Sequence, residues 1–235
     1  MDKKFKIAII VILALILGYA AFYLTDYYHA EKTATDYMNG TDNVSVVNTS
    51  NGLLLDGQGN DTALIFYPGA KVEYTSYMPM FTQLASQGID CYLVEMPFNI
   101  AFFGTDSADD IIKNSSYNHY FIAGHSLGGV VASSYVNKTD NIDGLILLAS
   151  YPTQEINKPV LSIYGSNDKV FTIEKYNEAK PLIKGNFSEF IIDGGNHGQF
   201  AYYGNQSGDG IANISASNQQ SQCVSEMVKF IENYT

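Results

Sequence analysis

Tyr120-Phe121-Ile122-Ala123-Gly124-His125-Ser126-Leu127-Gly128-Gly129-Val130-Val131-Ala132-Ser133-Ser134-Tyr135-Val136 is the stretch on which the fold turns. A short apolar run, YFIA, ends in G-x-S-x-G, and the small-residue run GGVVASSYV then reads as a helix. A serine at such a strand-to-helix turn is forced into a strained backbone conformation, with its hydroxyl projecting above the sheet. The flanking glycines are required because side chains there would meet the strand or the helix. The N–H of Leu127 opens the helix, where it can stabilise an oxyanion.

Outward from this turn, short apolar runs alternate with helical stretches. The strand candidates are 63–67, 91–95, 120–123, 145–149, 160–164 and 187–192. Several are apolar on both faces, as expected of strands covered by helices on either side. Helices are expected at about 74–86, 107–113, 128–137, 173–183 and 215–234. Before them, VSVV and LLL between residues 43 and 56 suggest a small hairpin. The βαβ alternation implies an α/β fold with a mostly parallel central sheet flanked by helices. One domain, residues 41–235, accounts for this pattern. Residues 26–40 are expected to form a polar, tyrosine-rich stalk or a first helix.

A hydroxyl needs a base to become a nucleophile at neutral pH. Of the four histidines, His29 lies beside the amino-terminal apolar segment and His119 precedes a strand. His125 adjoins Ser126, and neighbours on a sharp turn point apart. His197 stands in Gly194-Gly195-Asn196-His197-Gly198 after the last strand candidate, at the end of a parallel sheet where reactive groups gather. A carboxylate should fix the imidazole tautomer and stabilise the imidazolium. Asp168, in Gly165-Ser166-Asn167-Asp168 after strand VLSIY, fits that place. Asp193 is too near the last strand, and Asp140 and Asp143 are at the wrong end of the sheet. The catalytic candidates are therefore Ser126, Asp168 and His197. The oxyanion candidates are the amides of Leu127 and Ala70, with Gly69 as the alternative to Ala70. Lys71, Met96, Phe98, Phe102 and Phe103 are candidates for lining an acyl or alkyl pocket. The polar, glycine-rich stretch 199–215 is expected to shape the site. Asp209 alone lacks the spaced carboxylates of a calcium loop.

Gly124-His125-Ser126-Leu127-Gly128, Tyr67-Pro68-Gly69-Ala70-Lys71-Val72, Met96-Pro97-Phe98-Asn99 and Gly165-Ser166-Asn167-Asp168 together resemble an α/β-hydrolase. The likeness is to a small bacterial serine-hydrolase branch whose oxyanion loop reads Y-P-G-[AG]-K-V, and it spans about residues 50–232. It implies Ser126 as nucleophile, His197 as base and Asp168 as its orienter, with no metal or organic cofactor. Tyr67 departs from the His that many esterases carry before the oxyanion glycine. The link between Ala149 and Val160 is too short for a sizeable lid. The expected activity is hydrolysis of small carboxylic esters through an acyl-enzyme. Acyl transfer, thioester hydrolysis and a non-catalytic anchored binding domain are the alternatives.

Hydrophobic residues make up 46% of the 235 residues and charged ones 16%, enough apolar material for a full core. The formal net charge is -11, and the 13 basic residues are all Lys. That balance excludes nucleic acid as an expected partner, because such binding is led by cationic contacts to phosphate. Two cysteines, Cys91 and Cys223, exclude a disulfide scaffold; Cys91 in its apolar run reads as a free core thiol, with a single Cys91–Cys223 bridge as the alternative for a domain outside the cytosol. The 18 uncharged residues from Ile7 to Leu24 (IAIIVILALILGYAAFYL) read as a membrane anchor. Lys3, Lys4 and Lys6 precede it, so the positive-inside tendency leaves the start in the cytoplasm and the domain outside. A cleaved signal peptide is the rival reading, with Gly18-Tyr19-Ala20 near the cut.

Overall fold

Runs of apolar residues too short for a helix and apolar on both faces become the middle of one sheet. The computed structural model describes residues 2–59 and 61–235; Met1 and Asn60 lie outside them. Among the described residues eight strands pair in a single sheet: β1 (Ser45–Thr49), β2 (Gly52–Asp56), β3 (Thr62–Tyr67), β4 (Asp90–Val94), β5 (His119–His125), β6 (Gly144–Leu148), β7 (Val160–Gly165) and β8 (Phe187–Ile192). Their spatial order is β1-β2-β4-β3-β5-β6-β7-β8. Strands β3 to β8 are mutually parallel, and the β1–β2 hairpin joins antiparallel to β4 at one edge. Every residue of β3, β4, β6 and β7 is buried, which is why these strands carry no alternating pattern.

Among the described residues seven α-helices accompany the sheet: α1 (Lys3–Thr25), α2 (Lys32–Thr35), α3 (Met78–Ala85), α4 (Ser107–Asn114), α5 (Leu127–Tyr135), α6 (Ile173–Ala179) and α7 (Ala216–Glu232). The expected helices are shortened by tight turns. Tyr74–Tyr77 is a 3-10 turn leading into α3, and Lys180–Leu182 closes α6, where Pro181 has no N–H to continue the ladder. Ser215 caps α7, its hydroxyl accepting the Asn218 N–H at 3.2 Å. Two apolar layers lie on opposite faces of the sheet. One gathers Phe66, Phe81, Phe121, Met227 and Phe230 under α3 and α7; the other gathers Ile65, Ile122, Val131, Tyr135 and Leu147 under α4 and α5. Cys91 and Cys223 are both buried and free. Residues 149–159 join β6 to β7 without a helix, so no sizeable lid stands there.

α1 is a single helix long and apolar enough to cross a membrane. Its 23 residues rise about 34 Å, more than the ~30 Å of a hydrocarbon core. The segment after it does not lead away as a stalk. Tyr28 forms a parallel bridge with Val72, Glu31 N–H donates to the Tyr202 carbonyl at 2.8 Å, and Ala34 on α2 is fully buried. Two of the tyrosines that make this stretch look like a polar stalk, Tyr28 and Tyr37, pack against the core. The Tyr28 ring lies 5.3 Å from that of Tyr203.

Candidate active site

The turn between β5 and α5 holds Ser126 at φ 52°, ψ -121°, a backbone conformation that a side chain ordinarily avoids. Close packing enforces it. A Cβ on Gly124 would sit 2.4 Å from the Gly128 carbonyl carbon, and one on Gly128 would sit 2.1 Å from the Tyr67 carbonyl oxygen. The turn is tied down from the next strand as well. Ser126 N–H donates to the Leu148 carbonyl at 2.9 Å, and the Ser150 hydroxyl donates to the Ser126 carbonyl at 2.7 Å. Leu127 is the first residue of α5, so its N–H has no acceptor within the helix.

Asp168 follows β7 and His197 follows β8, two neighbouring parallel strands, so both loops emerge at the same edge of the sheet as Ser126. His197 Nδ1 lies 2.8 Å from Asp168 Oδ2, and the two side chains are 2% and 0% exposed. The carboxylate is fixed from its other side, Oδ1 accepting the N–H groups of Val170 at 2.9 Å and Phe171 at 2.7 Å. A carboxylate can only accept here, so Nδ1 carries the proton and Nε2 is left with its lone pair. Ser126 and His197 line one cavity of about 200 Å³, together with Leu127, Val130, Ala149, Ser150, Tyr151, Val170, Phe171 and Thr172. Among the described residues no hydrogen bond joins the Ser126 hydroxyl to His197. Such contacts commonly tighten only around substrate. A larger cavity, about 580 Å³, is lined by parts of 196–216 and Glu31 and includes neither Ser126 nor His197.

The loop after β3 leaves one amide unengaged. Gly69 N–H donates to Tyr77 Oη at 3.1 Å, Lys71 N–H to the Asn99 carbonyl at 2.7 Å and Val72 N–H to the Gly69 carbonyl at 3.3 Å. Among the described residues the Ala70 N–H has no such partner, and Ala70 is exposed. The Gly69 amide, the alternative donor, is therefore already taken by a tyrosine.

Tyr77 and His125 form a buried pair that the sequence does not announce. Tyr77 Oη lies 2.8 Å from His125 Nδ1, and the centre of the His125 ring lies 4.5 Å from that of His197. Since Tyr77 Oη accepts from Gly69, its own proton goes to Nδ1, which leaves the His125 proton on Nε2. Burial, then the neighbouring His197, hold His125 well below the usual imidazole range, so it stays neutral. His125 is a structural group, linking the 69–72 loop to the His197 ring.

The expected pocket residues lie elsewhere. Met96 is 2% exposed and sits in the α4–α5 layer. Phe98, Phe102 and Phe103 are 56–60% exposed and do not line the cavity beside Ser126. The reason is local backbone. Phe98 (φ 57°) and Asn99 (φ 54°) make a left-handed turn in the 97–99 segment, and the rings end on the surface. Lys71 Nζ is 2.9 Å from Asp26 Oδ2 and 4.4 Å above the Tyr23 ring, so it faces the end of α1. The residues that do line the cavity, Tyr151, Val170 and Phe171, come from the loops after β6 and β7. Their positions after strand ends were the available signal.

Residues 63–221 match the model of the Alpha/beta hydrolase family. Among curated protein sequences there is no match. Solved structures share the fold at low identity. The predicted CIB-like hydrolase of Thermoplasma acidophilum has 16% identity and a TM-score of 0.58, covering 81% of this chain and 97% of that one. Est1E from Butyrivibrio proteoclasticus has 14% identity and a TM-score of 0.56, covering 81% and 100%. The ferulic acid esterase of Streptomyces cinnamoneus has 14% identity and a TM-score of 0.61, covering 76% and 68%. With the family model spanning well over half its length, the chain belongs to the alpha/beta hydrolase family.

Proposed function

We propose that the chain is a serine hydrolase of small carboxylic esters, with Ser126 as nucleophile, His197 as base and Asp168 as the carboxylate that orients it. His197 Nε2 takes the Ser126 proton as Oγ attacks the ester carbonyl, and the Leu127 and Ala70 amides stabilise the tetrahedral oxyanion. The alcohol leaves with the proton from His197, and water repeats the sequence on the acyl-enzyme. The observation that carries this reading is the 2.8 Å contact between His197 Nδ1 and Asp168 Oδ2, both shielded from water beside the cavity that holds Ser126. Esterases among the structures of similar fold support the reaction class. α1 is read as an anchor, with Lys3, Lys4 and Lys6 on the cytoplasmic side and the domain outside.

Labelling by a fluorophosphonate probe tests the nucleophile. Wild type should label, and Ser126→Ala should not, with its melting temperature nearly unchanged. His197→Ala should lower turnover by ~10³ or more, by analogy with other triads. Absence of labelling in wild type would favour a binding domain, and a product ester formed with added alcohol would favour a transferase. The cavity of about 200 Å³ is small beside the ~300–1,000 Å³ of drug-sized ligand sites, so short acyl groups should be preferred. Across p-nitrophenyl esters, kcat/KM should peak at acetate or butyrate; a maximum at decanoate or beyond would overturn this.

A further inference from the structure

Phe98, Phe102 and Phe103 are three large apolar side chains within six residues, each 56–60% exposed. The Phe98 and Phe103 rings meet edge to face at 5.8 Å, forming one patch. Leaving such a patch in water is costly, and clustered exposed aromatics mark contact surfaces.

Its place in the fold points to what covers it. α1 approaches the Pro97–Asn99 turn that carries Phe98. The Asn99 carbonyl accepts the Lys71 N–H at 2.7 Å, and the Lys71 ammonium in turn holds Asp26 at 2.9 Å and the Tyr23 ring at 4.4 Å. The patch is therefore continuous with the C-terminal end of α1, where Tyr19, Phe22 and Tyr23 are 48–70% exposed. Amphipathic rings gather at that level of a spanning helix, at the boundary of headgroups and acyl chains. Lys71, the nearby cation, is committed to Asp26, and the chain is strongly acidic, so attraction to anionic lipid is not the driving force.

We infer that Phe98, Phe102 and Phe103 insert into the same bilayer that α1 spans, seating the domain on the membrane beside its candidate oxyanion loop. This rests on the reading of α1 as an anchor. The partner is a zwitterionic lipid surface, bound through burial of aromatic area.

The chain contains no Trp, so a single introduced indole reports one position. Phe98→Trp, Phe102→Trp, Phe103→Trp, Phe22→Trp and Phe187→Trp would be made in the full chain and reconstituted in phosphatidylcholine vesicles containing doxyl-labelled phosphatidylcholine. Phe22 lies on α1. Phe187 is an exposed residue at the opposite end of the sheet, on edge strand β8, and serves as the aqueous reference. The indole of each of the three patch variants should be blue-shifted and quenched to within about twofold of the α1 position, as interfacial rings are, while the β8 position is not quenched. Quenching at α1 with the three patch positions matching β8 overturns the seating and leaves the anchor standing. No quenching at α1 overturns both. A blue shift at the patch without quenching by doxyl lipid means that another copy of the chain covers it, which also overturns the inference.

Discussion

At the scale of single residues, Tyr77 is a side chain outside the proposed triad that joins the loop after β3 to the imidazole beside His197. Its hydroxyl accepts from Gly69 and meets His125 Nδ1, so one oxygen fixes both the 69–72 loop and the imidazole beside His197. Burial pushes its phenol upward, partly offset by the Gly69 N–H, so it stays a neutral donor. Tyr77→Phe removes that oxygen and leaves a buried N–H and a buried ring nitrogen without partners. Each such loss costs about 1–3 kcal/mol. Urea unfolding should show a loss of about 2–6 kcal/mol on that basis, and kcat should fall more than KM rises. Unchanged stability would mean that water or a shifted backbone replaces the hydroxyl. None of this pair could be read from the chain. Forty-eight positions separate Tyr77 from His125, and the pairing of β3 with β5 brings them together.

At the scale of elements, the strands were readable because a doubly covered parallel strand is buried throughout and mostly apolar, as β3, β4, β6 and β7 are despite Thr62, Asp90 and Ser162. The same alternation puts Ser126, Asp168 and His197 after β5, β7 and β8 at one edge. The direction of side chains within loops was not readable. Phe98 follows β4 as a pocket residue would, yet a left-handed turn sends it outward. Asp209 offers no pattern at all, although its carboxylate binds across two loops. It accepts the N–H groups of His197 at 3.2 Å, Gly198 at 2.8 Å and Gly210 at 2.7 Å, and reaches that of Lys169, next to Asp168, at 3.4 Å. The stretch 199–215 thus positions the proposed base through backbone bonds. Asp209→Ala should lower kcat by ~10–100-fold with little change in KM, since misplacement of about 1 Å has that effect. Asp209→Asn keeps one acceptor oxygen and should recover part of the loss. Equal activity in all three forms would show that the loops hold His197 without this carboxylate.

At the scale of the whole molecule, the connection between α1 and the domain is a structural joint. Tyr28 N–H donates to the Lys71 carbonyl at 2.7 Å, its carbonyl accepts the Glu73 N–H at 3.0 Å, and its hydroxyl accepts the Ser207 N–H at 3.2 Å. One residue therefore touches the loop that offers the Ala70 amide and the stretch that follows His197. Composition alone could not reveal this, because a polar, tyrosine-rich segment has the same make-up whether it crosses solvent or packs on a surface. Tyr28→Ala keeps the backbone bridge to Val72 but removes the ring and its hydroxyl. Burial of part of an aromatic ring contributes about 1–2 kcal/mol, which for a chain of this size corresponds to a fall in Tm of about 3–6 °C. Tyr27→Ala is the matched control, since the Tyr27 ring packs at 4.3 Å against His29 of the same segment. Thermal unfolding of both variants in detergent should show the drop only for Tyr28→Ala, together with reduced turnover. Equal melting temperatures for the two variants would mean that residues 26–40 only tether the domain to α1, without bracing the loops around Ser126.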